Sequence, residues 1–98
     1  MNEIYYFVYI LASGRNGTLY VGMTSNLAKR IWEHKNNVIA GFTKTYAVHR
    51  LVYYEMHTDV QEALRREKSI KRWGRQQKMQ MIESNNPEWD DLYFELNQ

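Results

Sequence analysis

Along the chain, aromatic and β-branched runs alternate with stretches whose apolar residues recur every three or four positions, and glycine, asparagine and serine mark the joins. Residues Tyr5 to Ala12 (YYFVYILA) predict a strand, because branched and aromatic side chains suit a pleated, half-buried surface. The run SGRNG follows, with two glycines and an asparagine able to take positive φ. Thr18 to Thr24 (TLYVGMT) then predicts a second strand, so the pair forms a β-hairpin. Ser25 is positioned to cap a helix over about residues 26–36, in which Leu27, Ile31 and His34 recur at i, i+4 and i+7 on one face. Residues 36–47 are loop-like and carry Gly41. His49 to His57 (HRLVYYEMH) predicts a third strand. Thr58 and Gln61 make a capping box for a helix running to about Arg72; Gly74 breaks it, and a short helix follows over residues 75–84. The closing EWDDLYFEL is aromatic and acidic, and suits a packed tail and a loose strand equally. The order ββαβαα predicts an α+β fold: a small three-stranded antiparallel sheet flanked by helices.

Composition narrows the class. The 98 residues suffice for one compact domain, with 44% hydrophobic and 24% charged residues, an ordinary globular balance. Residues 1–84 form its main body, and residues 85–98 an acidic aromatic tail of the same domain. There is no cysteine, which removes disulfides and thiolate metal sites. No apolar stretch approaches the roughly 20 residues of a membrane span. MNEIYYFVYIL lacks the basic region and cleavage site of a secretory signal, so the cytoplasm is the expected location. Net charge is only +2, but it is unevenly spread. Between Glu62 and Lys78 lie seven basic residues against two acidic ones, and from Met79 onward five acids with no Lys or Arg. Such a stripe can bind phosphates through Arg65, Arg66, Lys68, Lys71, Arg72 and Arg75; it is also what a solvated helix face looks like.

Three groups could carry chemistry. Directly opposed residues of a hairpin share a face. Tyr9 and Tyr20 therefore face the same way only if paired residue numbers add to an odd number, as when Ala12 pairs with Gly17 or with Leu19. Gly22 would then leave a gap in that face, where a backbone or ligand can come close. Against this, a strand tyrosine taken singly is ordinary packing, and the chain has 8. Arg30 and His34 lie one turn apart on the side shared with Leu27 and Ile31. Arginine suits phosphate because its planar fork donates two parallel hydrogen bonds and keeps its charge. A histidine there could act as a base, or the two could simply edge the apolar face. Glu67 follows Ala63 and Leu64 and precedes Ile70 on the apolar stripe of its helix, unlike Glu62. A half-buried carboxylate needs a cation, and either magnesium or Lys71 at i+4 would serve; on spacing alone the Lys71 salt bridge is the stronger reading.

Together these segments resemble the GIY-YIG nuclease family. The motif stands here as VYI (Val8, Tyr9, Ile10) and YVG (Tyr20, Val21, Gly22). It continues in MTSNLAKRIWEHK, with Asn26, Leu27, Arg30 and His34 at the family's positions, and in EALRREKSIK, where Glu67 matches the metal-binding glutamate. The likeness covers roughly Tyr5 to Lys71, and YVGMTSNLAKRIWEH is similar to the nuclease domain of endonucleases that cut branched DNA. The resemblance implies phosphodiester hydrolysis with one Mg2+ or Mn2+ ion on Glu67. Arg30 would grip the scissile phosphate, and Tyr9 or Tyr20 would orient or deprotonate the attacking water, with His34 sharing that proton. Gly22 and Asn26 would be structural. Two departures stand out: Met23 replaces a lysine of the excision-repair subunits, and no Asn follows the Glu67 helix at the spacing some members use. The implied partner is nucleic acid, DNA before RNA, bound by the basic stripe alone, by a homodimer or with a protein partner. A non-catalytic binding module on the same scaffold is the alternative, and an adaptor using Trp89, Tyr93 and Phe94 a third.

Overall fold

The computed structural model describes residues 4–96. Its first strand, β1 (Tyr6–Ala12), is the middle strand of the sheet, and this accounts for its unbroken apolar run. Val8, Ile10 and Ala12 enter one hydrophobic core, while Tyr9 and Leu11 enter another on the opposite face. β2 (Leu19–Thr24) and β3 (Arg50–His57) flank it, both antiparallel, in the order β2-β1-β3. The β1–β3 register shifts between Ile10 and Leu11, which pair with Tyr53 and Leu51. The extra residue, Val52, can therefore face the same core as its neighbour Tyr53, while Leu51 and Tyr54 join the other.

Helix α1 (Leu27–Lys35) lays Leu27, Ile31 and His34 against the Tyr9 face. Its N-cap is Asn26, whose side chain accepts from the Lys29 amide at 3.2 Å, and not Ser25. Thr24 explains the displacement, since its hydroxyl receives the Asn26 N–H at 3.1 Å and fixes the chain one residue later. The predicted loop over residues 36–47 contains one helical turn, α2 (Phe42–Thr45). Helix α3 (Val60–Arg72) is likewise capped by Asp59, which accepts from the Gln61 amide at 2.9 Å, rather than by Thr58. Helix α3 and α4 (Arg75–Asn85) cover the other face, with Ala63, Ile70 and Ile82 against Val8, Ile10, Val21 and Val52.

The C-terminal segment is packed and is not a strand. Trp89 is fully buried in the α3-side core, its indole N–H donating to Glu83 at 2.7 Å, and a single 3-10 turn follows over Leu92–Glu95. Asp91 receives the Leu51 amide at 3.2 Å and pairs with Lys35, while Arg50 donates to the Trp89 carbonyl at 3.0 Å. The burial of Trp89 removes it from any adaptor surface. Among the described residues no helix is long and apolar enough to cross a membrane.

Candidate active site

The hairpin register sets the site. Tyr9 pairs with Gly22, Leu11 with Tyr20 and Ala12 with Leu19, so the odd-sum condition holds and both tyrosines lie on the α1 face. Gly22 is the opening through which they meet. A Cβ there would come within 2.5 Å of the Tyr9 hydroxyl, 2.6 Å of its Cζ and 3.1 Å of Tyr20 Cε1. The gap expected at this position is thus filled by the chain's own Tyr9 ring. From there the Tyr9 hydroxyl lies 3.2 Å from His34 Nε2. The three rings cluster, with centroids 6.4 Å apart for Tyr9 and Tyr20, 6.1 Å for Tyr9 and His34, and 5.6 Å for Tyr20 and His34.

Burial separates their chemistry. Tyr9 is 1% exposed, and burial, reinforced by Tyr20, raises its phenol well above the ordinary tyrosine range; Arg30 opposes this, while Glu67 and Glu33 add to it. Burial thus favours the protonated phenol, whose hydroxyl faces His34. His34 is 2% exposed and pushed down to about 4, first by burial and then by the charges of Arg30 and His49, with Glu33 opposing. Its other nitrogen, Nδ1, lies 2.9 Å from the buried Thr43 hydroxyl. Each imidazole nitrogen meets a hydroxyl that can either donate or accept, so either neutral tautomer is satisfied. His34 is therefore a buried neutral strut between β1 and α2. The expectation that it sits at the edge of the helix face is corrected by its burial. Tyr20 is only half-buried and remains the tyrosine that can meet solvent.

Arg30 stands at the rim, its side chain 43% exposed and its Nε 3.5 Å from Glu33. Beside it opens a polar cavity of about 220 Å³ lined by Thr24, Ser25, Asn26, Lys29, Arg30 and Glu33. Glu67 is 17% exposed and pairs with Lys71 at 3.4 Å, so both features read from its spacing are present: the half-buried carboxylate and the i,i+4 salt bridge. Met23, at the position where a lysine was the comparison, packs against the α3-side core.

The basic stripe is narrower than its sequence suggested. Arg65, Lys68 and Arg72 face solvent. Arg66 does not belong with them: its Nε lies 2.9 and 3.1 Å from the two Glu55 oxygens, and its guanidinium sits 5.1 Å over the Trp73 ring. Burial alone would raise the Glu55 carboxyl, but hydrogen bonds from Tyr53, Arg66 and His57 hold it below its usual range. Arg75 also has a structural task, donating to the Asn16 and Gly17 carbonyls at 2.7 and 2.6 Å and so closing the β1–β2 turn. Sequence reading missed Thr43, along with an aromatic pair, Phe42 and Tyr46, that continues from Tyr20. The i, i+4 spacing of Phe42 and Tyr46 was the available signal.

Comparison with known proteins identifies the family. A family described as the GIY-YIG catalytic domain matches residues 5–80. A UPF0213 protein of Clostridium perfringens is 38% identical over 91 residues, covering 93% of this chain and 97% of that one. One from Staphylococcus haemolyticus is 44% identical over 78 residues, covering 80% and 94%. The solution NMR structure of a UPF0213 protein from Bacillus halodurans aligns with a TM-score of 0.56 at 27% identity, over 90% of this chain and 93% of that one. With the hairpin motif, Arg30 and Glu67 inside the matched span, the chain belongs to the GIY-YIG domain family.

Proposed function

We propose that this protein hydrolyses phosphodiester bonds of nucleic acid, DNA of a particular shape before a particular sequence, with one Mg2+ or Mn2+ ion. The observation that carries the reading is the clustering of Tyr9, Tyr20 and His34 on the α1 face, with Arg30 lining the polar cavity at its rim. Glu67 suits the metal as a half-buried carboxylate paired with the exposed Lys71. A single carboxylate suits an ion that keeps waters and phosphate oxygens in its shell. When bound, the ion supplies positive charge to the phosphate and the leaving oxygen.

The chain's own residues do the rest. Arg30, at the mouth of the polar cavity, grips a non-bridging oxygen and offsets the charge that grows as water attacks phosphorus and the P–O bond to the leaving oxygen breaks. Tyr20 orients that water. Tyr9 and His34 are positioning residues, holding the hairpin against α2. Arg65, Lys68, Lys71 and Arg72 contact flanking phosphates. Incubation of branched and single-stranded DNA with magnesium tests the reading. Wild type should nick, and Glu67→Ala and Arg30→Ala should each lose on the order of 100-fold or more in rate. A wild type that cuts nothing, or variants that cut as well as it does, would end the proposal.

Met23 packed against the core and Lys71 on Glu67 favour a second reading, a binding module without turnover. It expects salt-sensitive binding dependent on Arg65 and Arg72, with no cleavage under any metal. Metal-dependent cutting that disappears in Glu67→Ala removes it.

A further inference from the structure

A row of aromatic rings runs outward from Tyr20. Phe42 lies almost parallel to it, 27° between planes and 6.2 Å between centroids, and Tyr46 lies 4.8 Å beyond Phe42. These outer rings are 45% and 57% exposed. Single exposed aromatics are ordinary, but a contiguous row that starts inside a candidate site is not. Nor does the row merely cover the core, because that task falls to Thr43 on the same turn, 3% exposed and bonded to His34. The backbone that presents the rings is well tied: Thr45 N–H donates to Gly41 O, Tyr46 N–H to Phe42 O and Val48 N–H to Thr43 O, at 3.0, 3.0 and 2.9 Å. Lys44 stands exposed on this turn, and Lys29 lines the cavity beside Arg30.

We propose that Phe42 and Tyr46 form a stacking subsite for an unpaired nucleobase next to the phosphate gripped by Arg30. The inference rests on the nucleic-acid reading above and deepens it by naming what the site recognises. Every base has a π-face, so stacking on an aromatic platform binds strands of any sequence, and neighbouring cations hold the phosphates. In an intact duplex both faces of a base are already covered by its neighbours. Only a single-stranded, splayed or flipped nucleotide can reach the rings. The row thus selects for locally unpaired nucleic acid, and its continuity with Tyr20 sets that nucleotide beside the reacting phosphate.

The test uses the full chain in metal-free buffer, with a short oligothymidylate, the same strand carrying abasic sites, and a blunt duplex. Phe42→Leu and Tyr46→Leu keep apolar bulk without the π-face. Each should weaken binding of the intact strand by roughly tenfold and leave duplex binding within about twofold of wild type. Abasic substitution should weaken wild-type binding by a similar factor, Phe42→Trp should bind as wild type, and a base analogue such as 2-aminopurine should be quenched on binding. Circular dichroism of the leucine variants checks the fold, and Phe42→Trp with the abasic strand carries the test if one of them unfolds. The subsite is overturned if the leucine variants or the abasic strand bind as tightly as their parents. Parallel incubation with magnesium separates the two claims. Cutting by wild type with unchanged strand binding in the variants sinks the subsite alone. Stacking without any cutting sinks the nuclease reading alone, and no binding of any nucleic acid sinks both.

Discussion

Gly22 and His34 together decide how the hairpin tyrosines can act. Because position 22 has no side chain, the Tyr9 ring lies across β2 and its hydroxyl reaches His34; any larger residue would meet the ring at 2.5–2.6 Å. That route takes Tyr9 out of solvent and leaves Tyr20 as the outward phenol, so two residues alike in sequence have different chemistry. His34 carries a cost that can be measured. Its folded pKa, about 4, lies below the ordinary 6.5 because burial and the Arg30 and His49 charges disfavour the imidazolium. The unfolded chain takes up this proton as pH falls through 6.5, and the folded chain does not until about 4. Stability is therefore unaffected by this group above pH 6.5 and falls between 6.5 and 4, by up to about 3 kcal/mol. Urea midpoints at about pH 7 and about pH 4.5 should show this slope in wild type and a shallower one in His34→Gln. Equal slopes would assign the acid sensitivity elsewhere.

The arginines of helices α3 and α4 have different tasks although their spacing does not distinguish them. Arg75 crosses 58 positions to the Gly17 carbonyl, and its partners belong to the turn that sets the Tyr9–Tyr20 register. Arg72 makes no such crossing and faces solvent. Arg75→Ala should therefore lower stability by about 1 kcal/mol, a hydrogen-bond value discounted for exposure, with little change in the salt dependence of DNA binding. Arg72→Ala should do the reverse, reducing the salt slope by about one with stability unchanged. Denaturant titration and binding at several salt concentrations read both, and a salt slope altered by Arg75→Ala but not by Arg72→Ala would reverse the assignment. The same contrast marks what could be read from sequence. The element order, the β1–β2 hairpin, the Leu27–Ile31–His34 face and the half-burial of Glu67 follow from local period and were legible, whereas the hairpin register and the place of β1 between β2 and β3 were not. The helix starts slipped by one residue because Ser25 and Asn26, like Thr58 and Asp59, are both capping types, and only the Thr24 contact and the Asp59 bond to Gln61 choose between them. The tertiary partners of Arg66, Arg75 and Thr43 left no local trace, and α2 is a single turn too short to show a period.

One three-stranded sheet separates two small cores, and neither is closed without the C-terminal segment. Trp89 completes the α3-side core, while Leu92 and Tyr93 pack against the α1-side core that holds Tyr9. Asp91 fastens the segment between them, to the β3 backbone at Leu51 and to Lys35 of α1. The acidic tail thus acts as a clasp across both layers, and its charge is partly spent on contacts within the fold. A domain of this size has a total stability of only about 5–15 kcal/mol, and truncating a buried tryptophan costs about 3–5 kcal/mol. Trp89→Ala should therefore shift the urea midpoint far more than Phe94→Ala, whose ring is 68% exposed. Because the clasp reaches the tyrosine side of the sheet as well, Trp89→Ala should also weaken strand binding near its unfolding midpoint while leaving it close to wild type in native buffer at low temperature. If Trp89→Ala keeps full stability, the segment is an appendage and the two cores close without it. If it lowers binding by the same factor at every temperature, Trp89 acts on the site directly and not through the stability of the whole.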